Sequence, residues 1–86
     1  MNIYEKKNSI LGMEFDRYMR LHPEFADRIP DDSHIILLLE GDEEFNKWSI
    51  QIGKRQAEEG QSVVYVRIKK LGPVHSRIKE LEIGAA

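Results

Sequence analysis

The sequence predicts an α/β fold: a minimal α-β-α-β chain with one right-handed βαβ unit and two parallel strands, preceded by a long and a short helix and followed by a C-terminal arm. Three observations predict it. Residues 34–39 read HIILLL, five successive aliphatics after a histidine, the pattern of a strand buried on both faces. Residues 42–59 open on Asp-Glu-Glu and then carry apolar residues at helical spacing. Residues 62–69 alternate, with Val64, Val66 and Ile68 on one side and Val63, Tyr65 and Arg67 on the other.

Taken in order, Tyr4 to Leu21 reads as the long helix. Tyr4, Leu11, Phe15 and Tyr18 fall on one stripe, and Lys7, Glu14, Asp16, Arg17 and Arg20 decorate the rest. Gly12 is a soft spot costing about 1 kcal/mol of helix propensity relative to alanine, and its small size would admit a close neighbour. His22-Pro23 ends the helix, because a residue before proline is pushed out of helical geometry. Pro23 then suits the first position of a short helix, Pro23 to Asp27, with Phe25 and Ile29 turned inward. Pro30-Asp31-Asp32-Ser33 is a turn.

After the first strand, Glu40-Gly41-Asp42 breaks the run. Asp42 is a natural N-cap for a helix reaching Glu59, and Glu43 and Glu44 sit where the helix dipole favours negative charge. Phe45, Trp48 and Ile52 form its expected buried stripe, with Ser49 between them and Ile50, Gly53 and Ala57 along the edge. Gly60 suits the residue just past the helix. Ser62 to Lys69 is the second strand, parallel to the first. Leu71-Gly72-Pro73 punctuates the chain. In the tail, Val74, Ile78 and Leu81 match a helical stripe, while Ile78, Leu81 and Ile83 also fit an irregular or extended arm; a short strand or arm is favoured over a helix, with residues 84–86 loose. The chain is thus one domain: a helical lead-in over 1–30, a βαβ unit over 34–69 and an arm over 73–86.

Composition narrows the function classes. A chain of 86 residues buries roughly two-thirds of its unfolded surface, a thin margin that small domains reinforce with disulfides, a metal or a partner subunit. Cysteine is absent, which removes disulfides, thiol catalysis and cysteine-ligated metal sites. His22, His34 and His75 lack ligand spacing. Two parallel strands leave both sheet edges open, so a homodimer or larger assembly, formed edge to edge or by arm exchange, is the expected staple.

Residues 1–8 are polar and lack the apolar run of a secretory signal. The longest apolar run, Ile35 to Leu39, is far short of the roughly 20 residues that span a bilayer. A cytoplasmic address and no membrane partner are expected on that basis.

Charge is unevenly spread. Glu24 to Glu44 holds eight acids and one base, Arg28; Gln61 to Lys79 holds five bases and no acid. Arg67, Lys69, Lys70 and Arg77 are the candidate binding residues. The plainer account is a solvated strand end, or a patch that meets an acidic segment of a second subunit. They could also, with Tyr65 as a stacking face, contact the phosphates of a nucleic acid, or hold another anionic ligand, and an unknown protein is a further possible partner. Glu40 and Asp42 lie at the carboxyl end of a strand, where α/β folds bind ligands, and offer oxygen ligands to a cation such as Mg²⁺; capping of the following helix and compensation of its dipole is the favoured account of this acidic loop. No GxGxxG, GxxxxGK[ST] or GxSxG pattern is present, so no cofactor and no catalytic residue is assigned. His75-Ser76 is an adjacency in sequence only.

Several segments carry a resemblance. Tyr4-Glu5-Lys6-Lys7-Asn8, Glu14-Phe15-Asp16-Arg17-Tyr18, His22-Pro23-Glu24-Phe25, Val63 to Lys70 and Pro73-Val74-His75-Ser76-Arg77 resemble a family of short, uncharacterised prokaryotic proteins. The resemblance covers most of the chain and implies a prokaryotic source. The family's function being unknown, it implies no catalytic residue, substrate or partner. The expected function is a non-enzymatic, homo-oligomeric interaction or regulatory module. A nucleic-acid-associated protein and a metal-dependent enzyme are the alternatives.

Overall fold

The computed structural model describes residues 2–72 and 78–85. Helix α1 (Ile3–Leu21) leads through the short α2 (Pro23–Ala26) to strand β1 (His34–Leu39). Helix α3 (Glu43–Gln56) connects β1 to β2 (Val63–Leu71), and β3 (Ile78–Ala85) completes the chain. The sheet has the order β1-β2-β3, parallel between β1 and β2 and antiparallel between β2 and β3.

The predicted α/β class and its βαβ core are present. Of the two favoured readings of the tail, short strand or arm, the strand is the one present; it runs longer than expected, since Gly84-Ala85, read as loose, pair with Tyr65 and Val64. The sheet therefore has three strands, and the β2 edge that the sequence reading left open is covered by the chain itself. Residues 73–77, which include the candidate Arg77 and the His75-Ser76 pair, lie outside the described residues.

Each helix start has a local cause. Asn2 caps α1 in a capping box: its side chain accepts the Glu5 N–H at 2.7 Å while Glu5 accepts from the Asn2 N–H at 3.3 Å. Asp42 caps α3, accepting from the Phe45 N–H at 3.2 Å. Helix α3 stops at Gln56, earlier than expected, because Ala57 turns to extended geometry. Gly60 sits in the following turn with φ +80, and Gly41 turns the chain after β1 with φ +90, a region L side chains rarely adopt. At the α1–α2 corner, the Tyr18 ring packs on His22 at 4.2 Å and on Phe25 at 5.6 Å.

The core lies on one face of the sheet. Leu37, Val64, Val66, Ile68 and Leu81 alternate onto that face and meet Leu11 and Phe15 of α1 and Phe45 of α3. The opposite face carries Ile36 and Leu38 on β1, both buried, then Tyr65 and Arg67 on β2 and Glu82 on β3. Helix α3 packs chiefly on β1. Its buried line is Phe45, Ser49 and Gly53, rotated from the expected Phe45, Trp48 and Ile52; Trp48 and Ile52 are half-buried. The reason is close approach: a Cβ on Gly53 would stand 2.5 Å from Ile36 Cγ1. At Gly12, by contrast, a Cβ would meet only Leu37 Cδ1, at an ordinary 3.9 Å, so that glycine admits no unusually close neighbour.

Candidate interaction surface at the sheet edges

The ladder dictates which backbone groups each strand presents. The His34 N–H donates to Ser62 O and the Glu40 N–H to Ile68 O, so even-numbered residues of β1 and β2 point toward each other. The odd residues of β1, Ile35, Leu37 and Leu39, therefore face outward. Helix α3 meets them with side chains. Asn46 accepts from the Leu39 N–H at 2.7 Å and donates to the Leu39 carbonyl at 2.8 Å. The buried Ser49 hydroxyl donates to the Leu37 carbonyl at 2.8 Å. A helix thus occupies the outer edge of β1 at its carboxyl half. Farther down, Ile35 borders a groove of about 470 Å³ between α1 and α3, walled by Asn8, Ser9, Trp48, Ile52 and Gln56.

The other edge differs. Odd residues of β2 point to β3, where Tyr65 pairs with Gly84 and Arg67 with Glu82. Those even residues of β3 spend their backbone groups on β2. The N–H and C=O groups of Leu81, Ile83 and Ala85 point away from β2, and among the described residues no strand pairs with them.

The basic strand end is drawn into the same hairpin. Arg67 and Lys69, read as cations with no acid nearby in sequence, both reach Glu82, at 4.0 and 3.6 Å. Exposed Lys70 stands opposite Glu80 in the register. Three of the four candidate binding residues therefore sit beside acids from β3. The signal was legible: Glu80-Leu81-Glu82-Ile83 alternates with period two and complements the charges of β2.

The acidic loop has its own commitments. Asp42 caps α3 with one oxygen and pairs with the Lys7 ammonium through the other. That hydrogen bond from Lys7, followed by the one from the Phe45 N–H, holds the Asp42 carboxyl below its ordinary value of 3.8, against the opposing effect of desolvation. Glu40 is exposed, and among the described residues no three of His, Asp and Glu gather as a metal site would require. Ser33 and Ser49 donate to backbone carbonyls. Sequence reasoning missed Asn46 and Ser49 as edge-covering groups, since polar residues inside a helix carry no edge signal until the strand's position is known.

The apolar surface is equally uneven. The large hydrophobics exposed among the described residues are Ile3, Ile10, Met13 and Leu21, all on α1, and Leu71 at the end of β2. Ile3, Ile10, Leu11, Leu39 and Leu71 wall an apolar depression of about 300 Å³, with Lys6 and Lys7 beside it. No helix among the described residues is long and apolar enough to cross a membrane.

No curated protein and no solved structure matches the chain. A family model matches residues 3–81, nearly the whole of α1 through β3, and on that match the chain belongs to the family of unknown function DUF5647.

Proposed function

We propose that this protein is a non-enzymatic interaction module that works as a homodimer, joined through β3. The observation carrying this reading is the asymmetry of the two edges: side chains of α3 occupy much of the β1 edge, while Leu81, Ile83 and Ala85 of β3 present backbone groups that no strand pairs among the described residues. An open edge is a template for another strand. When one edge is open and the other obstructed, two copies pair isologously and the assembly closes.

Charge selects the register. Antiparallel pairing centred on Glu82 would place Glu82 against Glu82, and pairing centred on Leu81 would place Glu80 against Glu82; like charges directly opposite each other are destabilising. Pairing centred on Ile83 places Glu82 opposite Gly84 and joins Leu81 of each copy to Ala85 of the other. Every outward N–H and C=O of these three residues then has a partner. The sheet doubles, with both α1 helices on the same side.

Proline distinguishes this reading from simple instability. The Ile83 N–H points outward, so Ile83→Pro removes a donor from the free edge and leaves the β2–β3 ladder intact, the one strand context that tolerates proline. Light scattering should report a dimer for the wild type and a folded monomer for Ile83→Pro. Glu82→Pro, which removes an intrachain donor, should unfold the hairpin instead. A wild type that is monomeric at every concentration, or an Ile83→Pro variant that stays dimeric, would overturn the reading.

Nucleic-acid binding has less support, because Arg67 and Lys69 already meet Glu82. A metal-dependent reaction at Glu40 and Asp42 has less support still, because both Asp42 oxygens are engaged.

A further inference from the structure

The exposed face of α1 has a composition unlike the rest of the surface. At about 100° per residue, Ile3, Ile10, Met13 and Leu21 share one stripe with Lys6, Arg17 and Arg20, and no acid falls within it. The four apolar residues are between 50% and 74% exposed. The ion pairs formed among the described residues leave Lys6, Arg17 and Arg20 unengaged. At its amino-terminal half the stripe borders the apolar depression walled by Ile3, Ile10, Leu39 and Leu71. Exposed apolar side chains grouped beside an apolar depression and interleaved with cations suit an interaction site.

We infer that this face docks an acidic amphipathic segment of another protein, a helix whose apolar side chain enters the depression and whose carboxylates meet Lys6, Arg17 and Arg20. Three alternatives fit less well. A second copy of this chain would bring its own α1, and antiparallel packing sets the same flank of each helix together, Lys6 toward Arg17, a like-charge contact. The exposed large hydrophobics elsewhere among the described residues reduce to Leu71, so the described residues offer no acidic apolar surface to complement the stripe. A bilayer would accept a convex stripe with cations at its margins; here Lys6 and Arg17 lie at its centre, between Met13 and Ile10, and the depression is concave. A helix laid in a groove, anchored by one large apolar side chain, matches both features.

The inference rests on the reading of this chain as a binding module but not on its dimerisation, and the experiment separates the two. A displayed library of random 16-residue peptides is selected on the full-length wild type and on Ile83→Pro. Both should enrich peptides that combine Asp or Glu with Leu, Phe or Ile at helical spacing. Synthetic versions should bind both proteins, lose affinity as salt rises, and lose about tenfold or more on Ile10→Asp, with a comparable loss on the double change Lys6→Glu, Arg17→Glu. Ile10 and the cations are exposed, so these variants should keep wild-type thermal unfolding. No enrichment, enrichment without acidic residues, or binding indifferent to Ile10→Asp would overturn the inference. So would loss of peptide binding in Ile83→Pro, which would place the site on the dimer rather than on α1. Adsorption of the wild type to phosphatidylglycerol vesicles that the α1 variants abolish, without peptide binding, would overturn it in favour of a lipid surface.

Discussion

Gly12 and Gly53 are both helical glycines, and their surroundings give opposite predictions. Gly53→Ala sets a Cβ 2.5 and 2.7 Å from Ile36 Cγ1 and Cδ1, and Ile36 is only 1% exposed, so it has little room to move. Overpacking of this kind costs about 1–3 kcal/mol, and urea denaturation should show that loss. Gly12→Ala meets only a 3.9 Å contact and should instead add up to about 1 kcal/mol from helix propensity. Asp42 supplies a pH signature. Its folded carboxyl lies below 3.8, so its interactions favour the folded state above that value and are lost as pH falls through the lowered folded value. Thermal unfolding followed from about pH 5 down to about pH 2 should therefore fall more steeply for the wild type than for Asp42→Asn, in which this titration is absent.

Among the elements, α3 has a second role besides connecting parallel strands. Its Asn46 and Ser49 hydrogen-bond the β1 edge, which explains why the helix buries a serine and a glycine where the hydrophobic pattern points to Trp48 and Ile52. Apolar periodicity reports which residues avoid water; it is blind to a helix held close to a strand by small and polar groups. Asn46→Ala strips the Leu39 N–H of its partner and leaves the Leu39 carbonyl only the Asp42 N–H, at a cost of about 1–3 kcal/mol. It also reopens the β1 edge. Sedimentation velocity on this variant should show species larger than the dimer, because two open edges propagate where one closes. Strand β3 was only half legible for a different reason. Its alternation spans few residues, a helical stripe through Val74 competes with it, and its identity depends on long-range pairing with β2. The cations Arg67 and Lys69 lie on β2 as expected, and the alternation of Glu80-Leu81-Glu82-Ile83 hints at their neighbour Glu82, but only the hairpin register fixes the pairing.

For the whole molecule, the sheet separates the face packed on α1 from the face that bears Tyr65, Arg67 and Glu82, and, among the described residues, an obstructed edge from one that no strand pairs. Helix α1 covers the core with Leu11 and Phe15 and turns Ile3, Ile10, Met13 and Leu21 outward, so one helix supplies both stability and the proposed docking face. The α/β class and the span of β1 followed directly from local pattern. The edge asymmetry did not, because it is a property of the assembled sheet and of the side chains that reach across it.

Amide hydrogen exchange along β3, read residue by residue at several protein concentrations, tests the dimer most directly. The Glu82 and Gly84 amides pair with β2 inside the chain and should be protected at every concentration. The account predicts that the Leu81, Ile83 and Ala85 amides are protected at high concentration and lose that protection on dilution. Fast exchange of these three at all concentrations, with Glu82 and Gly84 still protected, would contradict it.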